Sequence, residues 1–195
     1  TIAMTVLLPI AFRNLRTIRG KFVPLFLMGL FGNVIPAFLF ALAQTRIPSS
    51  LSGMLNSLTS LFTLVVGVSL FRMRVRGAQV AGVFVALIGT LGLIGFSHLA
   101  QLSVYGRYSL LVVAATCSYG IGINLIKAHL QEMRPHHITA LAYLLTAPFL
   151  AVYLFCGTDF VARLGSLPEA WWGVFYVSLL GVMSTSVAVI LFNKL

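Results

Sequence analysis

The sequence predicts an all-α, polytopic membrane helix bundle, and three observations carry that prediction. Only 8% of the 195 residues are charged and 59% are hydrophobic, with a mean hydropathy of +1.03; soluble domains carry roughly 25% charged residues. The charges act as punctuation. None falls between Lys21 and Arg46, Arg46 and Arg72, Arg76 and Arg107, Arg107 and Lys127, Arg134 and Asp159, or Glu169 and Lys194. These intervals have the length of about 20 residues that crosses a bilayer core, and they lack the polar–apolar alternation of barrel strands. The formal charge of +10 does not mark a nucleic-acid face, because the basic residues cluster between the apolar runs.

Taken in order, the chain opens TIAMTVLLPIAFRNL. About twelve apolar residues are too few to span, and neither a starting Met nor a charged leader is present. The expectation is a fragment that begins inside a helix. Six runs then reach or nearly reach the spanning length: Phe22–Gln44, Ser49–Phe71, Ala78–Ser97, Ser109–Ala128, Ile138–Cys156 and Trp171–Asn193. With the partial first helix that makes about seven segments. Pro24, Pro36 and Pro148 fall within spans, where proline is tolerated; Pro36 either kinks its helix or frees a carbonyl that lines a cavity. Cys117 and Cys156 lie in apolar runs and read as packing residues.

Alternate loops divide the 13 basic residues ten to three. Arg13, Arg16, Arg19, Lys21, Arg72, Arg74, Arg76, Lys127, Arg134 and Lys194 fall on one side; Arg46, Arg107 and Arg163 fall on the other. The positive-inside rule makes RNLRTIRGK and RMRVRG cytoplasmic and TRIPSS outer. Trp171 and Trp172 fall where an outer aromatic belt belongs.

One span is unlike the rest. In PSSLSGMLNSLTSLFT (48–63), nine of sixteen residues are Ser, Thr, Asn or Gly. On a helix at 100° per residue, Ser49, Gly53, Asn56, Ser60, Thr63 and Gly67 share one stripe, flanked by Ser52 and Thr59. Leu51, Met54, Leu55, Leu58, Phe62 and Val65 fall opposite and form the expected lipid face. The polar stripe fits close helix packing or the wall of a polar cavity. Polar positions on other spans favour the cavity: Asn33 and Gln44; Thr116, Gly120, Asn124 and Lys127; Thr139, Tyr143 and Thr146; Ser178, Gly181 and Thr185.

GLFGNVIPAFLFALAQ (29–44) aligns with SLLGVMSTSVAVILFN (178–193), pairing Gly32 with Gly181 and Gln44 with Asn193. The loop charges run these helices in opposite directions, so the match is an inverted repeat, an arrangement of many secondary transporters.

The stretch FALAQTRIPSSLSGMLNSLTSLFTLVVGVSLFRMRVRGAQVAGVFVALIGTLGLIG (40–95) resembles the EamA-type family of the drug/metabolite transporter superfamily. It has an AL helix end, a short outer turn, a small-residue helix, a basic inner loop, and Gln79 and Gly82 as Q-x-x-G. LLVVAATCSYGIGINLIK (110–127) resembles the opening of that family's second repeat, and WWGVFYVSLLGVMSTSVAVILFN (171–193) resembles its third helix. The resemblance implies part of a ten-helix inverted-repeat transporter. Residues 1–97 would be the first repeat without its first helix and part of its second, 98–108 an outer linker, and 109–195 the second repeat without its last two helices. Met73 stands where the family usually carries Glu.

Transport of a small metabolite or drug-like solute by alternating access is therefore the expected function, in the inner (cytoplasmic) membrane of a bacterium. A seven-helix receptor or another non-transport membrane protein is the alternative. The cavity-lining candidates are Asn33, Ser52, Asn56, Ser60, Thr63, Asn124, Tyr143 and Thr185. All are neutral, which favours a neutral or zwitterionic solute at the midplane. No enzyme is expected, since Glu132, Asp159 and Glu169 are the only acids and all fall in loops. No cofactor or metal is called for: His129, Glu132, His136 and His137 match no metal spacing and read as a solvated loop. Lys127 reads as snorkelling to the interface, with charge selection at the inner mouth as the other reading. The partners are the solute and the bilayer, with a homodimer left open.

Overall fold

A computed structural model describes residues 15–104, 106–158, 160, 165 and 170–181, all of it helix, turn or coil. The elements are α1 (Leu15–Gly29), a π turn (Leu30–Val34), α2 (Ile35–Gln44), α3 (Ser49–Asn56), α4 (Leu58–Ser69), α5 (Gly77–Val104), α6 (Gly106–His129), α7 (Pro135–Cys156) and α8 (Ala170–Gly181). The partial helix before Arg13, Thr185 and residues 182–193 of the repeat lie outside the described residues.

Four helical stretches are long and apolar enough to cross a membrane: Gly20–Gln44, Ser49–Ser69, Gly106–His129 and His137–Cys156. Each covers an expected span, and α5 and α8 begin where two more were expected. Large apolar side chains stand exposed on α5, α7 and α8, among them Phe84, Ile88, Phe149, Val152, Trp171 and Phe175, as a lipid-facing surface requires. The chain is a polytopic helical membrane protein.

Proline shapes the first span twice. Pro24 has no N–H for the Gly20 carbonyl, and its ring crowds that oxygen. The helix accordingly breaks at Lys21, at φ −131° and ψ 25°. Pro36 acts on the π turn. The Ile35 N–H reaches back to the Leu30 carbonyl, a five-residue step. In that register the Phe31 carbonyl would await the N–H of residue 36, which proline lacks. The Ser118 hydroxyl of α6 donates to it instead, at 2.9 Å. Pro36 thus frees a carbonyl, but another helix caps it and Phe31 lines neither cavity described below.

Contacts divide the chain into two compact units, Leu27–Gln131 and, separately, 1–26 with 132–195. The first therefore combines helices from both sides of the expected 98–108 linker. Its centre is α6, packed on the π turn, α2, α3 and α4. Ala43, Ile47, Leu51, Leu55 and Val112 form a buried core there, with Phe40, Leu58, Tyr108 and Leu111 against it. Leu51 and Leu55 thus face protein, whereas the helical wheel had assigned them to lipid. Lipid tails are as apolar as leucine, so an apolar face has no preference of its own between lipid and a neighbouring helix. In the second unit, Lys21 Nζ donates to Glu132 Oε2 at 2.7 Å, and the Phe26 and Phe149 rings meet edge-on at 6.0 Å.

Candidate functional site

The polar residues of α3, α4 and α6 separate into a dry seam and an open groove. Gly120 and Gly122 make the seam. A Cβ on Gly120 would stand 2.9 Å from the Phe62 carbonyl carbon, and one on Gly122 would stand 2.7 Å from Gly32 Cα. Only residues without a side chain let backbones approach so closely. Asn124 closes the seam. It is 1% exposed, and its Nδ2 donates to the Thr63 and Gly120 carbonyls, each at 2.8 Å. Its Oδ1 occupies the place a side chain on Gly67 would need, 2.7 Å from an ideal Cβ.

The groove lies beside the seam. One cavity of about 610 Å³ is lined by Phe40, Asn56, Thr59, Ser60, Tyr119 and Ile123. A second, of about 570 Å³, continues from Thr59, Ser60 and Ile123 past Thr63 and Gly67 to Met73, Arg74, Gln79 and Lys127. The shared residues make the two cavities neighbours along one helix face. From Asn56 to Gly67 that face runs about 16 Å at the α-helical rise. One end is aromatic, with the Phe40 and Tyr119 rings 6.1 Å apart. The other end is basic.

Local chemistry builds the basic end. Arg72 takes the left-handed conformation, φ 49°, which costs on the order of 1 kcal/mol or more for a side chain with a Cβ. The turn lets the Met73 N–H donate to the Gly67 carbonyl at 2.9 Å, bringing Met73 and Arg74 back to the groove mouth. Gln79 then starts α5: its Oε1 accepts the Arg76 N–H at 3.0 Å, the N3-to-N-cap arm of a capping box. The glutamine of Q-x-x-G therefore has a structural task here.

The expected site residues scatter over these settings. Asn56, Ser60 and Thr63 line the groove, and Asn124 touches it while serving the seam. Asn56 Oδ1 accepts from Thr59 Oγ1 at 3.2 Å. Ser52 is 1% exposed, accepts from Gln44 Nε2 at 3.4 Å, and lines neither cavity. Asn33 is half-buried in the π turn, outside both cavities, and Tyr143 is half-buried on α7 in the other compact unit. Phe40, Tyr119, Gln79 and Arg74 were not among the expected residues. A signal for Tyr119 was present, since Tyr119, Ile123 and Lys127 recur every fourth residue, one position off the Thr116–Gly120–Asn124 stripe that supplies the seam.

Comparison with known proteins bears on what such a groove is for. The EamA-like transporter family model matches residues 1–95. Over those residues the chain is similar to the EamA-like transporter family. No curated protein and no solved structure matches the chain. The EamA-like stretch contains α1 to α4 and the start of α5, hence the groove wall from Phe40 to Val83. The EamA-like match and the apolar spans favour a membrane transporter over a receptor or an enzyme.

Proposed function

We propose that this groove binds a small metabolite or drug-like solute and that the protein carries it across the cytoplasmic membrane by alternating access. One observation carries the reading. In an EamA-like chain, the polar face of α3 and α4 lines an open groove against α6. Among the described residues Asn56 and Ser60 are exposed and line that groove. Hydroxyls and amides spaced along an apolar wall suit recognition by hydrogen bonds and shape.

The test is solute uptake by proteoliposomes across a library of small metabolites, with Asn56→Leu beside wild type. Losing one hydrogen bond to the solute should weaken apparent affinity about 5- to 150-fold, for about 1–3 kcal/mol. Insertion and melting should stay unchanged, because among the described residues Asn56 is exposed and its side chain bonds within its own turn, to Thr59. Normal transport by Asn56→Leu would make the stripe a packing face.

A further inference from the structure

We infer that Arg74 and Lys127 form an anion subsite at the basic end of the groove, which makes the solute an organic acid or zwitterion held there by its carboxylate or phosphate. The inference deepens the transport reading above and rests on it. Three observations support it. The first is selection among the arginines: of Arg72, Arg74 and Arg76 in one short loop, only Arg74 lines the cavity. Lys127, from the last turn of α6, lines the same cavity, so two separate segments bring cations to it.

The second is the missing counter-charge. No described residue lining the cavity is acidic. Glu132 already pairs with Lys21 at 2.7 Å, and Asp159 and Glu169 lie outside the described residues. Two like charges on one cavity repel, and an anion between them turns that repulsion into attraction. The guanidinium adds a planar fork of donors matched to carboxylate and phosphate.

The third is the neutral shell. Gln79 spends its Oε1 on the Arg76 N–H, which leaves the donor half of its amide to the cavity it lines. Beyond it the described residues of the groove are Thr63, Ser60 and Asn56, with no further charge among them. An anionic group is therefore placed at this end alone, with the rest of the solute extending toward Phe40 and Tyr119.

The experiment reads anion guidance at Lys127 without any transport step. The purified protein, in phosphatidylcholine nanodiscs, is treated in parallel with pyridoxal 5′-phosphate and with pyridoxal. Both aldehydes condense with a lysine amine; borohydride traps the product, and peptide mass spectrometry gives the rate at Lys127, divided for each reagent by its rate with a free lysine derivative, because pyridoxal is held largely as its internal hemiacetal and reacts more slowly for that reason alone. Wild type should favour the phosphate-bearing reagent about tenfold, the scale of one charge-assisted hydrogen bond. Arg74→Gln should bring the two reagents within about twofold of each other. Arg76→Gln removes the same charge outside the cavity and should leave the preference intact. Equal rates in wild type, or an unchanged preference in Arg74→Gln, would overturn the subsite. Adding anionic phosphatidylglycerol to the discs separates a lipid headgroup from a free solute: if it erases the preference, the basic pair belongs to the headgroup and the inference falls. Normal labelling with no transported solute in the library would sink only the transport reading.

Discussion

Alanine at Gly122 should disrupt the helix crossing, while alanine at Gly32, its partner in the same crossing, should not. The geometry is asymmetric. A Cβ on Gly122 would lie 2.7 Å from Gly32 Cα and 2.9 Å from Gly32 N, both backbone atoms with nowhere to go. Carbon–carbon contacts are favourable at about 3.5–4.0 Å, so α6 must retreat by about 1 Å from the π turn. A gap of that size forfeits about a quarter to a half of each neighbouring contact. The retreat also stretches the 2.9 Å bond from Ser118 to the Phe31 carbonyl, which the missing N–H of Pro36 leaves without another donor. Overpacking costs about 1–3 kcal/mol, and losing the hydrogen bond adds about 0.5–1.5. The better helix propensity of alanine returns about 1 kcal/mol. The net expectation for Gly122→Ala is a loss of about 0.5–3.5 kcal/mol. A Cβ on Gly32 would meet Gly122 Cα and Met28 Cε at 3.7 Å, ordinary contact distances, so Gly32→Ala should be neutral or stabilising by up to about 1 kcal/mol. Reversible unfolding in mixed detergent micelles compares the variants with wild type. Equal damage from both alanines, or none from Gly122→Ala, would refute the crossing geometry.

Asn124→Leu should lower stability by about 1–2 kcal/mol in the same assay, since it removes two hydrogen bonds across and along the seam; a melt identical to wild type would show that Asn124 does not tie α6 to α4. The Lys21–Glu132 pair should respond to pH. Lys21 holds the Glu132 carboxyl below the ordinary glutamate range through a hydrogen bond and its charge. Its contribution is thus fully present above that range and lost as pH falls through the lowered value. Melting of wild type should exceed that of Glu132→Gln slightly at neutral pH, and the two should converge in acid. A difference that grows in acid would contradict the pairing. The contribution is small because Glu132 is 86% exposed.

The covalent order of charges and apolar runs was enough to read an all-helical bundle and the four spans that the described helices complete. Solvation explains why: about 20 uncharged apolar residues cannot stay in water, and only a helix satisfies their backbone inside a bilayer. Helical periodicity also found the polar face from Ser49 to Gly67, because residues three and four apart share a face wherever the helix lies. Which face would meet what was not legible. Leu51 and Leu55 read as lipid-facing and are core, Ser52 read as cavity-lining and is buried, and α6 presents polar residues to both seam and groove. A stripe of small and polar residues serves packing and cavities equally well in hydrocarbon, so its role depends on how closely the next backbone approaches.

The resemblance of residues 40–95 to EamA-type transporters was likewise readable from the chain, and the family match over residues 1–95 agrees with it. The tertiary structure alone decided the finer assignments. It gave Asn124 to the seam and Asn56 to the groove, although both are carboxamides within spans. It put Arg74 on the groove wall and left Arg72 and Arg76 off it, through one left-handed residue that no apolar pattern records. It also supplied the Phe31 carbonyl with a donor 87 positions along the chain. Sequence periodicity fixes the angle between side chains on one helix; the distance to the next helix, on which contact and exclusion of solvent depend, is set only when the helices meet.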